Sequence, residues 1–184
     1  MSNEFSPETI EKEIQEPELL FVRPEILTDQ TIPEPLHGVN PRSFNSAKWW
    51  NTERRTAYAY NNYHCFTCGT YAPYDKTKKK FSSDLKLHAH ERYTYYYTEC
   101  KAVLTEVVAI CPICHDGIHI QRLQAKYDNE EVDEEYMWVV YEQRKRVLNL
   151  DDNCWNKWHL DLEGDYYYSK FKNRKEWEEH YGQS

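Results

Sequence analysis

The chain has 184 residues, which allows one ordinary domain with a tail but leaves little room for two independent cores. Its net charge of -8 and mean hydropathy of -0.95 indicate a soluble protein whose surface as a whole does not attract nucleic acid. It has neither an apolar run of about 18 to 20 residues nor a signal-like start, so we expect no membrane span and no secretion. Its six cysteines are then thiols or metal ligands in a cytoplasmic protein rather than disulfides.

Residues 1–42 are predicted to form an acidic, proline-rich arm. Residues 1–40 hold nine acidic residues against two basic ones, and five of the eight prolines, a composition typical of an extended or partly disordered segment. Residues 19–22 and 26–27 are apolar, and they leave two interpretations open. The arm docks onto the body or a partner, or it is a solvated tail.

Residues 43–127 are predicted to form the core. Ser43 or Ser46 can cap a helix over residues 47–60, which Asn61 and Asn62 would end.

The later half of residues 81–97 is aromatic and predicts a strand or hairpin. The apolar residues 103–110 lead into a short helix over residues 112–123, with Gly117 inside it. This core holds twelve Lys and Arg against seven Asp and Glu, so it is basic within an acidic protein.

Residues 128–184 are predicted to form a C-terminal extension that packs on the core. Its acidic start, residues 128–135, suits the first turn of a longer helix. The expected apolar stripe of that helix is Val132, Tyr136, Val139, Val140 and Val147. A β segment, an aromatic strand and a last helix with Trp177 are expected to follow.

Two Cys-x-x-Cys pairs predict a structural zinc site. Each pair brings two sulfurs close enough to bind one ion, and two pairs complete a tetrahedral shell with no open position. The four cysteines are Cys65, Cys68, Cys111 and Cys114. Gly69 suits the tight turn after the first pair. A thioredoxin-type redox pair or two disulfides are the alternatives, while Cys100 and Cys154 have no partner at ligand spacing and are expected to be small buried hydrophobes.

Histidines surround the second cysteine pair. His115 and His119 are four apart and would share one face of a helix, a spacing that suits a second metal ion with nitrogen ligands. His88 and His90 alternate along the preceding strand and point the same way, with Glu91 adjacent. Folded together by the zinc site, these residues predict a functional site.

The chain resembles HNH endonucleases of the zinc-bound ββα-metal type, including HNH-like proteins of phages and bacteria. The resemblance lies in residues 87–93, with the sequence LHAHERY, in the apolar residues 107–110, and in residues 111–119, with the sequence CPICHDGIH. It is strongest over residues 65–120. The fold it implies is α+β, with a zinc-clamped ββα core, flanking helices and the C-terminal aromatic extension.

The resemblance implies a metal-dependent endonuclease that cuts DNA with little sequence readout. RNA is the second candidate substrate. Of His90 and Glu91, one would be the general base and the other a metal ligand, and either order is open. His115 and His119 would bind the catalytic Mg²⁺ or another divalent ion and contact the phosphate. Glu106 stands in the place of the family's middle asparagine. The alternative is therefore a non-catalytic member that binds nucleic acid or a protein, such as a phage or defence-related regulator.

Basic residues near the histidines predict contacts to phosphate. The candidates are Lys76, Lys78, Lys79, Lys80, Arg54, Arg55 and Arg92. A lysine run is as readily a solvated turn, and that alternative stays open. Tyrosines in residues 93–97 could stack on bases, and the acidic arm could bind a protein partner.

Overall fold

The computed structural model describes residues 16–28, 41, 45–96 and 101–150. Over these residues the chain is α+β, with four α-helices, one 3₁₀ helix and two small antiparallel sheets. The elements in chain order are the 3₁₀ helix Pro24–Thr28, α1 Ala47–Tyr60, β1 Tyr74–Asp75, β2 Lys80–Phe81, β3 His88–Tyr96, β4 Lys101–Ile110, α2 Pro112–Ile118, α3 Ile120–Asp128 and α4 Glu134–Leu148.

Helix α1 confirms the sequence prediction at both ends. Ser46 caps it, with its hydroxyl oxygen accepting a hydrogen bond of 3.2 Å from the amide of Trp49. Asn61 ends it and is fully buried, because its side chain also binds the backbone of the N-terminal segment at Leu20 and Phe21.

The hairpin of β3 and β4 leads directly into α2. Its register pairs His88 with Ile110 and His90 with Val108, and a bulge follows Arg92. Val108, Ala109 and Ile110 are fully buried in the core. The chain then turns at Cys111, the N-cap of α2, with Pro112 at the first helical position, where its missing N–H costs nothing.

The prediction of one helix over residues 112–123 is wrong, because the chain breaks at His119. Helices α2 and α3 meet there, where the backbone of His119 leaves the helical range at ψ 60°. The amide of His119 still donates to the carbonyl of His115 at 3.2 Å, so one turn keeps both side chains together. At Gly117 a Cβ would lie 3.7 Å from Val140 and 3.9 Å from Leu27, which are ordinary van der Waals distances.

Helix α4 begins later than its acidic sequence predicts, and its buried face differs from the predicted stripe. Asp133 caps it by accepting from the amide of Tyr136 at 2.8 Å. Val140 is buried as expected, but Val139 is 41% exposed. Tyr141 and Arg144 are buried instead, because α4 packs its Val140 side on α2 and the 3₁₀ helix.

Residues 16–28 dock onto the body, which decides between the two interpretations of that part of the arm. Ile26 and Leu27 lie in the hydrophobic core. The amide of Arg23 donates to the carbonyl of Phe66, between the first pair of cysteines. This segment therefore braces the first cysteine turn, and we call it the strap.

Other sequence predictions fall on residues that the structure does not describe. These are the rest of the arm, the C-terminal elements with Trp177, and Tyr97, Cys100 and Cys154. Among the described helices, none has the length and apolar character that a membrane span needs.

Candidate metal centres and the adjoining basic groove

The four predicted zinc cysteines come together, and we call them the cysteine cluster: Cys65, Cys68, Cys111 and Cys114. Their sulfur atoms all lie within 4.8 Å of one another, and none of the four forms a disulfide. The sulfurs of Cys68 and Cys111 are 3.8 Å apart. Two sulfurs bound tetrahedrally at about 2.3 Å would be separated by about 3.8 Å, so this spacing fits a zinc ion.

Local structure prepares the cysteine cluster for a cation. Gly69 adopts a φ of +76° so that its amide can fold back to the carbonyl of Cys65 at 2.9 Å. The amide of Cys111 donates to the sulfur of Cys65 at 3.2 Å. Hydrogen bonding with Cys111 lowers the pKa of Cys68, whereas the thiol hydrogen bonds of Cys111 raise its own pKa. A bound dication would stabilise all four sulfurs as thiolates.

Three of the predicted histidines form a second group, the histidine cluster: His90, His115 and His119. Strand β3 supplies His90, helix α2 supplies His115, and the residue that ends α2 is His119. Their ligand atoms lie within 4.8 Å of one another, and the rings of His115 and His119 are 4.8 Å apart between centroids. The cluster could hold a metal ion.

Burial keeps these imidazoles neutral. It lowers the pKa of His90 to about 4 and that of His119 to about 3, and it holds the pKa of His115 far below its ordinary value. Metal ions bind neutral imidazole, so the three rings fit a cation without first losing a proton.

His88 and Glu91 lie beside the histidine cluster but outside it. The Nδ1 atom of His88 is 3.1 Å from Nδ1 of His115, on the side that faces solvent. Glu91 lines a cavity of about 410 Å³ together with His90 and His119. Thr28 of the strap also lines this cavity.

Asp116 anchors a network that the sequence did not indicate. It is 4% exposed and accepts hydrogen bonds from Arg122, Lys126 and Tyr136, at 2.7, 2.9 and 2.9 Å. Burial alone would raise the pKa of Asp116, but these hydrogen bonds outweigh it and lower the pKa. Arg122 also lies 3.1 Å from Nδ1 of His115. The network therefore reaches the histidine cluster.

His88 and His115 line a groove of about 970 Å³, which we call the basic groove. Helix α1, the β1–β2 hairpin and the start of β3 form its walls. Five basic residues and one acidic residue line it. The basic residues are Arg54, Arg55, Lys79, Lys80 and Lys86.

The predicted phosphate contacts divide between this groove and other places. Lys76 lies over the ring of Tyr63 at 5.8 Å, and Lys78 pairs with Asp75 at 3.4 Å, so neither lines the groove.

Arg92 lies on the other side of the hairpin. It forms an ion pair with Glu106, which Arg23 of the strap also binds through two hydrogen bonds of 2.8 and 2.7 Å. These hydrogen bonds, first that from Arg23, lower the pKa of Glu106. The contact between Arg23 and Glu106 therefore fastens the strap to the hairpin.

A sulfur site of this kind has no open position and holds structure, whereas three imidazoles leave positions open for water or substrate. The cysteine cluster connects the turn after α1 to the end of β4 and the start of α2, and α2 also carries His115 of the histidine cluster. His115 is common to the histidine cluster and to the lining of the basic groove. No family model, no curated protein and no solved structure matches the chain.

Proposed function

We propose that the protein is a metal-dependent phosphodiesterase of the HNH type that acts on nucleic acid. The observation that carries this proposal is that His115 belongs to the histidine cluster and also lines the basic groove. Basic side chains hold a phosphate backbone without reading its sequence, and the groove would lead that backbone to the histidines.

His90, His115 and His119 would hold the ion, which when bound polarises a phosphate oxygen and makes a bound water more acidic. Because His90 belongs to the cluster, we assign it to the metal rather than to the base. Glu91 then remains to take the proton of the attacking water, from the cavity that it lines with His90 and His119. Arg54 and Lys80 would hold the neighbouring phosphates.

The donor atoms favour a particular class of metal ion. Imidazole nitrogen suits zinc, iron, nickel and copper, whereas Mg²⁺ prefers oxygen ligands and keeps its waters. We therefore propose a transition-metal ion at the histidine cluster, with Mg²⁺ as the weaker candidate, and Zn²⁺ at the cysteine cluster.

The test is cleavage of supercoiled plasmid and of single-stranded DNA and RNA by zinc-loaded protein, with Mg²⁺, Mn²⁺, Co²⁺, Ni²⁺ or Zn²⁺ added in turn. We expect metal-dependent nicking, a loss of at least about 100-fold in His90→Ala and His115→Ala, and a comparable loss in Glu91→Gln. The matched control is Lys76→Ala, whose side chain lies outside the groove. Wild-type protein that nicks none of these substrates with any ion would contradict the enzyme proposal.

Glu91 lines the cavity with His90 and His119 but not the basic groove, and this favours a second candidate, a protein that binds nucleic acid without cutting it. Such a protein would retain oligonucleotides in the presence of EDTA and leave them intact when metal is added. Fluorescence anisotropy beside the nicking assay separates the two functions.

A further inference from the structure

The guanidinium of Arg122 lies between a carboxylate and a candidate metal ligand. Its Nη2 atom is 2.7 Å from Oδ1 of Asp116 and 3.1 Å from Nδ1 of His115. Lys126 and Tyr136 fix Asp116 from other sides. Charge-assisted hydrogen bonds of this length hold the guanidinium firmly, so its place beside His115 is set by the fold.

This contact decides which nitrogen of His115 carries the lone pair. Arginine only donates hydrogen bonds, so Nδ1 of His115 accepts, and the proton of the neutral ring is on Nε2. A metal ion needs an unprotonated nitrogen, and here that nitrogen is Nδ1. Arg122 therefore lies at the nitrogen of His115 that an ion would take, and Nδ1 of His88 lies 3.1 Å from the same atom.

We propose that Arg122 is a phosphate-binding residue that couples binding of the metal ion at the histidine cluster to binding of a phosphodiester. This inference rests on the proposed function and names the coupling at its site. An ion on His115 displaces one N–H of Arg122, while Asp116 keeps the guanidinium beside it. The two neighbouring cations repel each other, and a phosphodiester anion between them removes that repulsion by binding both.

The charges around the cluster agree with this account. The positive charge of Arg122 is one of the causes that lower the pKa of His88, His90, His115 and His119, after burial in each case. The same charge opposes a metal ion at those rings. Lys126 also donates to Asp116, whereas Arg122 is the residue that donates to His115, so Lys126 serves as a matched control.

The coupling must be reciprocal, because an anion that strengthens metal binding is itself bound more tightly when the metal is present. We expect dithymidine phosphate to strengthen Co²⁺ binding by about 10-fold in the wild type. In Arg122→Gln, Co²⁺ alone should bind about 10-fold more tightly than in the wild type, and the dinucleotide should add less than twofold.

The experiment is calorimetric titration of Co²⁺ into protein whose cysteine cluster is filled with zinc, with and without the dinucleotide. Its uncharged methylphosphonate analogue is the ligand control, and chromatography afterwards checks that the dinucleotide is intact. Lys126→Gln should retain the enhancement of Co²⁺ binding by the dinucleotide, because Arg122 keeps its own hydrogen bond to Asp116. The proposal is overturned if Arg122→Gln retains the enhancement, if it binds Co²⁺ more weakly than the wild type, if Lys126→Gln changes as much as Arg122→Gln, or if no Co²⁺ binds the wild type.

The outcomes also separate this inference from the proposed function. Nicking without the coupling removes the role of Arg122 and keeps the nuclease. Coupling without nicking keeps the role of Arg122 and favours the non-cutting binding protein.

Discussion

Arg144 donates a hydrogen bond of 3.0 Å from Nη1 to the carbonyl oxygen of Leu27, which lies 117 positions earlier in the chain. The same nitrogen donates to the carbonyl of Gly117 at 2.8 Å. A buried arginine thus connects the strap, α4 and the helix that carries His115. We expect Arg144→Met to lower the free energy of unfolding by about 2 to 4 kcal/mol, because two buried carbonyls lose their donor.

Urea denaturation of zinc-loaded protein measures this change. Arg144→Lys keeps a charged donor and should lose less than the methionine variant. A methionine variant as stable as the wild type would show that the arginine does not hold the strap.

Gly69 gives a second stability prediction, because its φ of +76° is unfavourable for any residue with a Cβ. A Cβ there would also lie 2.9 Å from Cδ2 of Leu19, the far end of a half-exposed side chain that can move away. We expect Gly69→Ala to cost about 1 to 2 kcal/mol, nearly all of it from the backbone.

The double variant Gly69→Ala, Leu19→Ala distinguishes the two causes in thermal unfolding. Removing the Leu19 side chain should restore little of the loss. A full recovery in the double variant would assign the cost to the contact instead of the backbone.

The parts that the sequence predicted depend on short spacings. Each of these parts forms within about one helical turn, where the backbone geometry alone determines which residues meet. They are the cap of α1 at Ser46, the two cysteine turns, and the pair His115 and His119. The docking of Ile26 and Leu27 depends on packing against distant segments, so the sequence left it open.

The network at Asp116 shows why the rest could not be predicted. Arg122 follows Asp116 by six residues, which is not a helical neighbour spacing, and the two meet because the chain breaks at His119. The basic groove likewise exists because α1, one hairpin and β3 come together. Neither arrangement has a local signature.

The histidine cluster should remain uncharged well below the ordinary pKa of histidine. With the pKa of His90 at about 4 and of His119 at about 3, the folded metal-free cluster binds fewer protons than the unfolded chain between about pH 4 and 6.5. Stability therefore rises with pH through this interval and levels off above it.

Nitrogen-detected NMR of the imidazole rings, from pH 8 to 5.5 with zinc retained on the cysteine cluster, reports this directly. His90, His115 and His119 should keep the shifts of neutral rings throughout. Protonation of any of the three near pH 6.5 would contradict the burial that lowers their pKa values.

The cysteine cluster should retain one equivalent of zinc that mild chelation does not remove. Cys68→Ser and Cys114→Ser should each lose that zinc, unfold the first or second cysteine turn, and lower the affinity of the histidine cluster for Co²⁺, because α2 carries Cys114 next to His115. Elemental analysis measures the zinc, circular dichroism measures the unfolding, and calorimetric titration measures the affinity for Co²⁺. Cys154→Ser is the control and should keep its zinc. Fully folded metal-free protein would count against a structural role.

The four lysines of residues 76–80 allow a test of the basic groove in which two variants lose the same charge at different places. Lys79 and Lys80 line the groove, whereas Lys76 and Lys78 contact Tyr63 and Asp75. Changing Lys79 and Lys80 to glutamine should weaken binding of a DNA oligonucleotide in EDTA. It should also reduce the slope of log K against log salt by about 1.4 to 1.8, the value for two phosphate contacts. The same change at Lys76 and Lys78 removes equal charge and should alter the slope by less than about 0.5. Equal effects from the two pairs, measured by fluorescence anisotropy, would mean that net charge alone attracts the DNA and that the groove is not its binding site.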